Sequence, residues 1–233
     1  MTKINFLLKR TFDIFSSLLM IFALLPIWIC VPIIIKFDSK GPVFFKQERR
    51  TKDGEVFKML KFRSMIENAE SIGTGLFNYE NDNRVTRVGK VLRKTSIDEL
   101  PQLFNILIGQ MSVIGPRPCV KYELGDFNTL NERFKKRFKM KAGLTGLAQT
   151  KGRNDISWDE KVKYDNEYIE KFYKYGVLID LKLLIDSAIK VLKKDNIYEN
   201  RVQGTISEIE SAKFAEEEII RIAHLLEEIE VER

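Results

Sequence analysis

Histidine is almost missing from this chain: His224 is the only one in 233 residues, and it lies close to the C-terminus. That scarcity excludes a histidine-based catalytic triad, a histidine general base and a His/Cys zinc site from everything before it. Chemistry there must use carboxylates, lysines, hydroxyls, the Cys119 thiol or a metal held by oxygen. Cysteine is nearly as scarce. Cys30 and Cys119 cannot form a disulfide framework, which fits a reducing compartment. Gly73-Thr74-Gly75 lacks the strand–loop–helix setting and the Lys-Ser/Thr ending of a P-loop, so it carries no nucleotide role. RNP, helix-turn-helix and finger signatures of nucleic-acid binding are absent as well.

Charge is abundant and unevenly placed. The chain carries +6, yet residues 199–233 hold ten acids and four bases, so residues 1–198 carry +12. A basic body of this kind suits phosphates, an anionic membrane surface or nucleic acid. Between Ile14 and Ile35, 22 consecutive residues, there is no charge at all. As a helix rising about 1.5 Å per residue, that run just reaches across a hydrocarbon core of about 30 Å. Pro26 and Pro32 interrupt it. Lys9 and Arg10 precede it and Lys36 and Lys40 follow it, so the positive-inside preference assigns no direction. A kinked spanning helix and a helix that bends at Pro26 and returns are both consistent with this pattern.

Beyond Gly41-Pro42, aromatic and β-branched residues flank Asp53-Gly54 and predict a hairpin. Lys61 and Arg63 share one face of its second strand, available for a phosphate or for solvent. Residues 67–83 read as a polar loop. Arg84, Arg87, Lys90, Arg93 and Lys94 then lead into TSIDELPQLFNILIGQMSVIGPRP, residues 95–118. Phe127, Leu130, Phe134 and Phe138 recur at helical spacing among six bases, predicting a basic amphipathic segment suited to a membrane surface. Ser157 and Glu160 have capping-box spacing before a further helix. Val177 to Lys194 reads as an amphipathic helix, and Ile206 to Val231 as a glutamate-rich helical tail.

The central stretch opens on adjacent acids, Asp98 and Glu99, and closes on the rigid turn Gly115-Pro116-Arg117-Pro118. Thr95 and Ser96 each stand three residues before an acid, so a helix starting near Ser96 accounts for both carboxylates as first-turn caps. The alternative is catalytic. A carboxylate can attack phosphorus to form an acyl-phosphate, with helix-terminal N–H groups, Mg²⁺ and arginines stabilising the transferring group. From the residues alone both readings stand.

The run RVTRVGKVLRKTSIDELPQLFNILIGQMSVIGPRP resembles the signature of the bacterial sugar transferase family, the monotopic phosphoglycosyl transferases that begin glycan assembly on polyprenyl phosphate. GPVFFKQER, KMLKFRSM, AGLTGLAQTKGRNDISW and DLKLLIDSAIKVLKK extend the likeness over roughly residues 5–194. The resemblance implies Mg²⁺-dependent transfer of a sugar-1-phosphate from a UDP-sugar to polyprenyl (undecaprenyl) phosphate, with release of UMP, at the cytoplasmic face of the bacterial inner membrane. Capsule, exopolysaccharide, O-antigen or glycoprotein glycan synthesis would use such a step. Asp98 matches the nucleophile and Glu99 its partner in metal binding or proton handling. Arg93 and Pro116-Arg117-Pro118 match phosphate contacts, with Lys61 and Arg153 as further candidates. The fold expected is mainly α with a small β-hairpin (α+β). It comprises a re-entrant membrane helix in residues 1–40 broken at Pro26, amphipathic interfacial helices, a compact cytosolic catalytic domain in residues 41–198, and an acidic helical tail in 199–233. The tail lies outside the resemblance and is a candidate partner-helix or homo-oligomer contact, or docks on its own body; downstream glycosyltransferases are candidate partners of the protein. Departures from the family pattern fall at Leu25, Gln110, Lys141-Ala142 and Leu147, none of them in the acid pair or the Pro-Arg-Pro turn. A non-enzymatic membrane adaptor, with a lipid-binding basic body and a partner-binding acidic tail, is the competing reading.

Overall fold

The computed structural model describes residues 2–72, 82–152 and 156–193. The acidic tail and Arg153 lie outside the described residues. Two helices open the chain: α1 (Thr2–Ala23) and α2 (Leu25–Asp38). They meet at Leu24 with a bend of 65°. The break therefore falls two residues before Pro26, which occupies the first turn of α2. Proline is tolerated there because that turn's N–H groups have no helical partner, whereas α1 continued through it would meet the ring with a carbonyl one turn back.

The hairpin forms as predicted. Strand β1 (Phe44–Arg50) pairs antiparallel with β2 (Val56–Phe62), with Phe45 opposite Lys61 and Arg49 opposite Phe57. Helix α3 (Arg87–Thr95) follows, N-capped by Thr86, whose hydroxyl accepts from the Gly89 N–H. A 3-10 turn (Ile97–Glu99), α4 (Gln102–Leu107) and β3 (Ser112–Ile114) come next. The chain continues through α5 (Glu132–Lys136), β4 (Gly143–Thr145), α6 (Leu147–Lys151), α7 (Trp158–Tyr175) and α8 (Leu178–Lys193). Strands β3 and β4 pair in parallel as a second two-stranded sheet. The result is mostly helical with two small sheets, the α+β class expected.

One core gathers Phe57 and Met59 of β2, Leu103 and Ile106 of α4, Val113 and Ile114 of β3, and Tyr168, Ile169 and Phe172 of α7. Phe12 and Ile21 of α1 and Trp28 of α2 pack against it. A smaller cluster joins Val31 and Ile35 of α2 to Phe62 and Leu92. The N-terminal helices are thus fastened to the body by apolar contact, and also by charge. Lys9 Nζ donates to the Ile114 carbonyl at 2.8 Å, to Tyr168 Oη at 3.2 Å and to Asp180 Oδ2 at 2.6 Å. Arg10 donates to the carbonyls of Ile106 and Leu107, supplying the positive partner that a helix C-terminus favours. Asp13 Oδ1 accepts from Ser112 Oγ and the Val113 N–H.

The opposite faces of these helices are apolar and exposed. Leu7, Phe15, Leu19 and Phe22 of α1, Ile29 and Ile33 of α2, and Leu178, Leu181, Ile185 and Ile189 of α8 all point away from the core. Among the described residues no single helix is long and apolar enough to cross a membrane; α1 and α2 reach that threshold only as a bent pair.

Two sequence expectations fail here. Residues 127–141 do not form one amphipathic helix: a 3-10 turn at Phe127–Thr129, the short α5 and a second 3-10 turn at Arg137–Lys139 divide them. Arg137 is buried in an ion pair with Asp165, and Lys136 and Arg133 pair with Glu170 and Asp159, so these bases are partnered with the start and middle of α7. Arg63 is not available to a phosphate either. It is buried, and its Nη2 donates to the Ile35 and Ser39 carbonyls, closing the end of α2. The capping box at Ser157 and Glu160 is present as read.

Candidate active site

The acids are not the caps of a helix beginning at Ser96. Helix α3 runs to Thr95, whose hydroxyl turns back to the Val91 and Leu92 carbonyls. Ser96 closes that helix in the left-handed region, at φ 57°, with its N–H donating to the Arg93 carbonyl. Asp98 and Glu99 then sit on the 3-10 turn, and α4 starts only after Pro101. Capping-box spacing was present, but the preceding helix consumed the hydroxyl residues first. Without a side-chain cap to explain them, the carboxylates stand on a sharp turn between two helices.

Asp98 is 6% exposed, and no side chain donates to it among the described residues. Burial, which disfavours the charged form, pushes its pKa up to about 6. Lys61 and Arg93 pull it down, and the neighbouring Glu99 carboxylate pushes it further up. Lys61, on the hairpin, reaches Glu99 Oε1 at 2.9 Å. Arg93, in the last turn of α3, is oriented by its Nε donating to Ser64 Oγ at 2.9 Å. Gly89 makes that placement possible: a Cβ there would lie 1.9 Å from the Ser64 carbonyl oxygen, so only glycine lets α3 press against the chain leaving β2. The structure therefore brings Asp98, Glu99, Lys61 and Arg93 together. Three separate elements converge: hairpin, α3 and the 3-10 turn.

Pro116-Arg117-Pro118 is fixed by contacts of its own. The Gly115 N–H donates to the Thr145 carbonyl, and the Gly143 N–H to the Pro116 carbonyl, tying the turn to β4. A Cβ on Gly143 would lie 2.1 Å from the Gly115 nitrogen, which accounts for glycine at that close approach. Arg137 Nη2 donates to the Arg117 carbonyl at 2.6 Å and Arg49 Nη1 to the Pro118 carbonyl at 2.8 Å. Arg117 itself makes no side-chain hydrogen bond or ion pair among the described residues, leaving its guanidinium uncommitted. The acid pair and the turn are not joined by any hydrogen bond or ion pair among the described residues.

Sequence reading passed over Arg49, Ser64, Arg137 and Asp165, each of which fixes a candidate residue or the turn that carries it. Arg137 is one of the six bases whose spacing predicts a membrane-facing amphipathic segment; its burial with Asp165, each 1% exposed at the side chain, has no signal in the local pattern. Among the described residues no three His, Cys, Asp or Glu side chains converge as an all-protein metal cage.

Residues 4–194 match the family model described as bacterial sugar transferase. The chain is similar to the exopolysaccharide production protein ExoY of Sinorhizobium fredii, 39% identical over 190 residues, covering 76% of this chain and 81% of that one. It is 37% identical over 192 residues to the uncharacterized sugar transferase EpsL of Bacillus subtilis, covering 82% of this chain and 90% of that one. It is 40% identical over 194 residues to the UDP-glucose:undecaprenyl-phosphate glucose-1-phosphate transferase of Klebsiella pneumoniae, of whose length the match covers 40%. With a match spanning most of its length, and the conjunction of acid pair, cations and Pro-Arg-Pro turn, the chain belongs to the bacterial sugar transferase family.

Proposed function

We propose that this protein transfers a sugar-1-phosphate from a UDP-sugar to undecaprenyl phosphate, yielding the lipid-diphosphate sugar and UMP. The observation that carries the reading is Asp98: a buried carboxylate with no side-chain donor among the described residues, bracketed by Lys61 and Arg93, in a sugar transferase. Asp98 attacks the β-phosphorus, an aspartyl-phosphosugar bond forms, and the bond to the UMP oxygen breaks. A phosphate oxygen of the lipid then attacks the same phosphorus and frees Asp98. Lys61 and Arg93 offset charge on the equatorial oxygens during both displacements.

Asp98 and Glu99 are the residues that would hold Mg²⁺. Mg²⁺ commonly takes one or two carboxylates and completes its shell with water and substrate phosphates. A two-carboxylate set, with no third acid converging on it among the described residues, fits a metal that arrives with a diphosphate. When bound, the ion supplies charge neutralisation at the phosphates. Arg117, and Arg153 outside the described residues, are assigned to substrate phosphate contact.

The exposed apolar faces of α1, α2 and α8 lie against the lipid at the cytoplasmic face of the inner membrane, with α1 and α2 entering and returning through their bend at Leu24. In this reading residues 1–40 form the re-entrant membrane segment, 41–198 the catalytic domain and 199–233 an appended tail.

The test is UMP release by the full chain in lipid nanodiscs with Mg²⁺, undecaprenyl phosphate and a panel of UDP-sugars. Release with one sugar, and a mass increase on the Asp98 peptide when the lipid is withheld, are expected. No UMP with any sugar, together with vesicle binding indifferent to Asp98, Glu99 and Arg117, would establish the adaptor reading instead. Cysteines placed near residues 5 and 40 should both label from the cytoplasmic side; labelling from opposite sides overturns the re-entrant arrangement.

A further inference from the structure

Arg49 sits in β1 opposite Phe57, and Phe45, two positions along that alternation, sits opposite Lys61. Arg49 and Lys61 therefore share one face of the hairpin, about 13 Å apart along the strands at roughly 3.3 Å per residue. At the Lys61 end stand Glu99 and Asp98. At the Arg49 end stands the Pro-Arg-Pro turn.

Arg49 Nε donates to Gln47 Oε1 at 2.7 Å and Nη1 to the Pro118 carbonyl at 2.8 Å. Its Nη2 has no hydrogen-bond partner among the described residues and is not sealed from solvent. Neither Arg49 nor Arg117 forms an ion pair among the described residues. The nearby acids are already engaged: Glu70 accepts from Gln47 Nε2, and Glu123 Oε2 accepts from the Val120 N–H. Burial, and then the closeness of Arg117, bring the Arg49 pKa down to about 10 despite the opposing influence of Glu123 and Glu70. Two guanidinium groups on adjoining backbone, each with donors that no described residue takes up, are placed to share one anion.

We propose that Arg49 and Arg117 together form an anion subsite for a phosphate-class oxyanion, with Arg49 also fixing the turn through the Pro118 carbonyl. The inference rests on the reading above in which Arg117 contacts substrate phosphate. The oxyanion belongs either to the nucleotide or to the polyprenyl phosphate, and the two sources separate kinetically.

Full-length Arg49→Gln, Arg49→Lys, Arg117→Ala and the Arg49→Gln/Arg117→Ala double variant would be assayed in nanodiscs for UMP release against each substrate. Arg49→Gln is expected to raise the KM of one substrate by about ten-fold, the scale of one charge-assisted contact, with Arg49→Lys restoring part of it. Arg117→Ala should raise the KM of the same substrate, and the double variant should be no worse than the more impaired single one. An effect on the UDP-sugar KM alone identifies the nucleotide, and one on the undecaprenyl phosphate KM alone identifies the lipid. Unchanged KM for both substrates in a folded Arg49→Gln protein overturns the subsite. So does an Arg49→Gln effect that persists at full size in the Arg117→Ala background. Unchanged KM in Arg117→Ala alone overturns instead the phosphate reading of Arg117. If Arg49→Gln fails to fold, Arg49→Lys carries the comparison, and a KM equal to wild type with Arg117→Ala impaired overturns the role of Arg49.

Discussion

Two aspartates in this protein are buried to nearly the same degree, Asp180 at 4% and Asp98 at 6% exposed, and burial raises the pKa of each. Their surroundings differ completely. Asp180 takes Lys9 Nζ on one oxygen and Tyr168 Oη on the other, while Lys9 spends its remaining donors on Ile114 and Tyr168. Every charge and donor in that network is matched from within the chain. Asp98 has cations nearby but no side-chain donor among the described residues. Burial alone therefore does not separate an architectural acid from a chemical one. The difference lies in whether the protein completes the group's partners or leaves them to a ligand.

The sharpest way to break the comparison is Asp98→Asn. UMP release should fall at least about a thousand-fold, as it does when a covalent nucleophile is removed, with no loss of thermal stability. Turnover near wild type would move the nucleophile elsewhere. The mirror experiment is Lys9→Ala, which strands Asp180 in the interior. Denaturant unfolding should show a loss of about 3–5 kcal/mol, the usual consequence of removing one partner of a buried pair. A loss below about 1 kcal/mol would show that water or a rearranged donor replaces Lys9.

Lys61→Met is a smaller perturbation, removing the cation that bonds Glu99 and faces Asp98. A fall in kcat of about a hundred-fold is expected, with the fold retained. The smallest effect is on stability against pH. Folding holds Asp98 at a pKa of about 6, above its ordinary value of 3.8. Between those values the native state retains a proton that the unfolded chain has released, so this group's contribution falls as pH rises from 4 to 6. In the metal-free, ligand-free protein, Asp98→Asn should flatten that decline by on the order of 1 kcal/mol across the window. Parallel pH–stability curves for the two proteins would contradict the assignment of burial as the dominant influence.

The local pattern carried much of this. The hairpin around Asp53-Gly54, the Ser157 capping box and the helix beginning near Val177 were all legible, because each depends on residues a few positions apart. Asp98, Glu99, Arg93 and Lys61 were named as candidates, and they do converge, although the convergence itself has no trace in the spacing. Residues 127–141 were misread because helical periodicity of phenylalanines records which residues prefer burial, not whether one continuous helix buries them. Arg63 and Arg137 were misread for a related reason. An arginine paired with a distant carbonyl or carboxylate looks identical, in sequence, to one facing solvent.

By itself the sequence determined the chemical options: nearly no histidine, an adjacent acid pair, a basic body and a charge-free run broken by proline. Those are properties of composition and short spacing, and no fold is needed to read them. Only the tertiary structure decided which charges are spent on architecture and which remain for a ligand. That division depends on partners as far apart as Lys9 and Asp180, brought together when the helices close on the core. A charge leaves water only if something across the fold receives it, and the receiver is chosen by packing, not by neighbours in the chain.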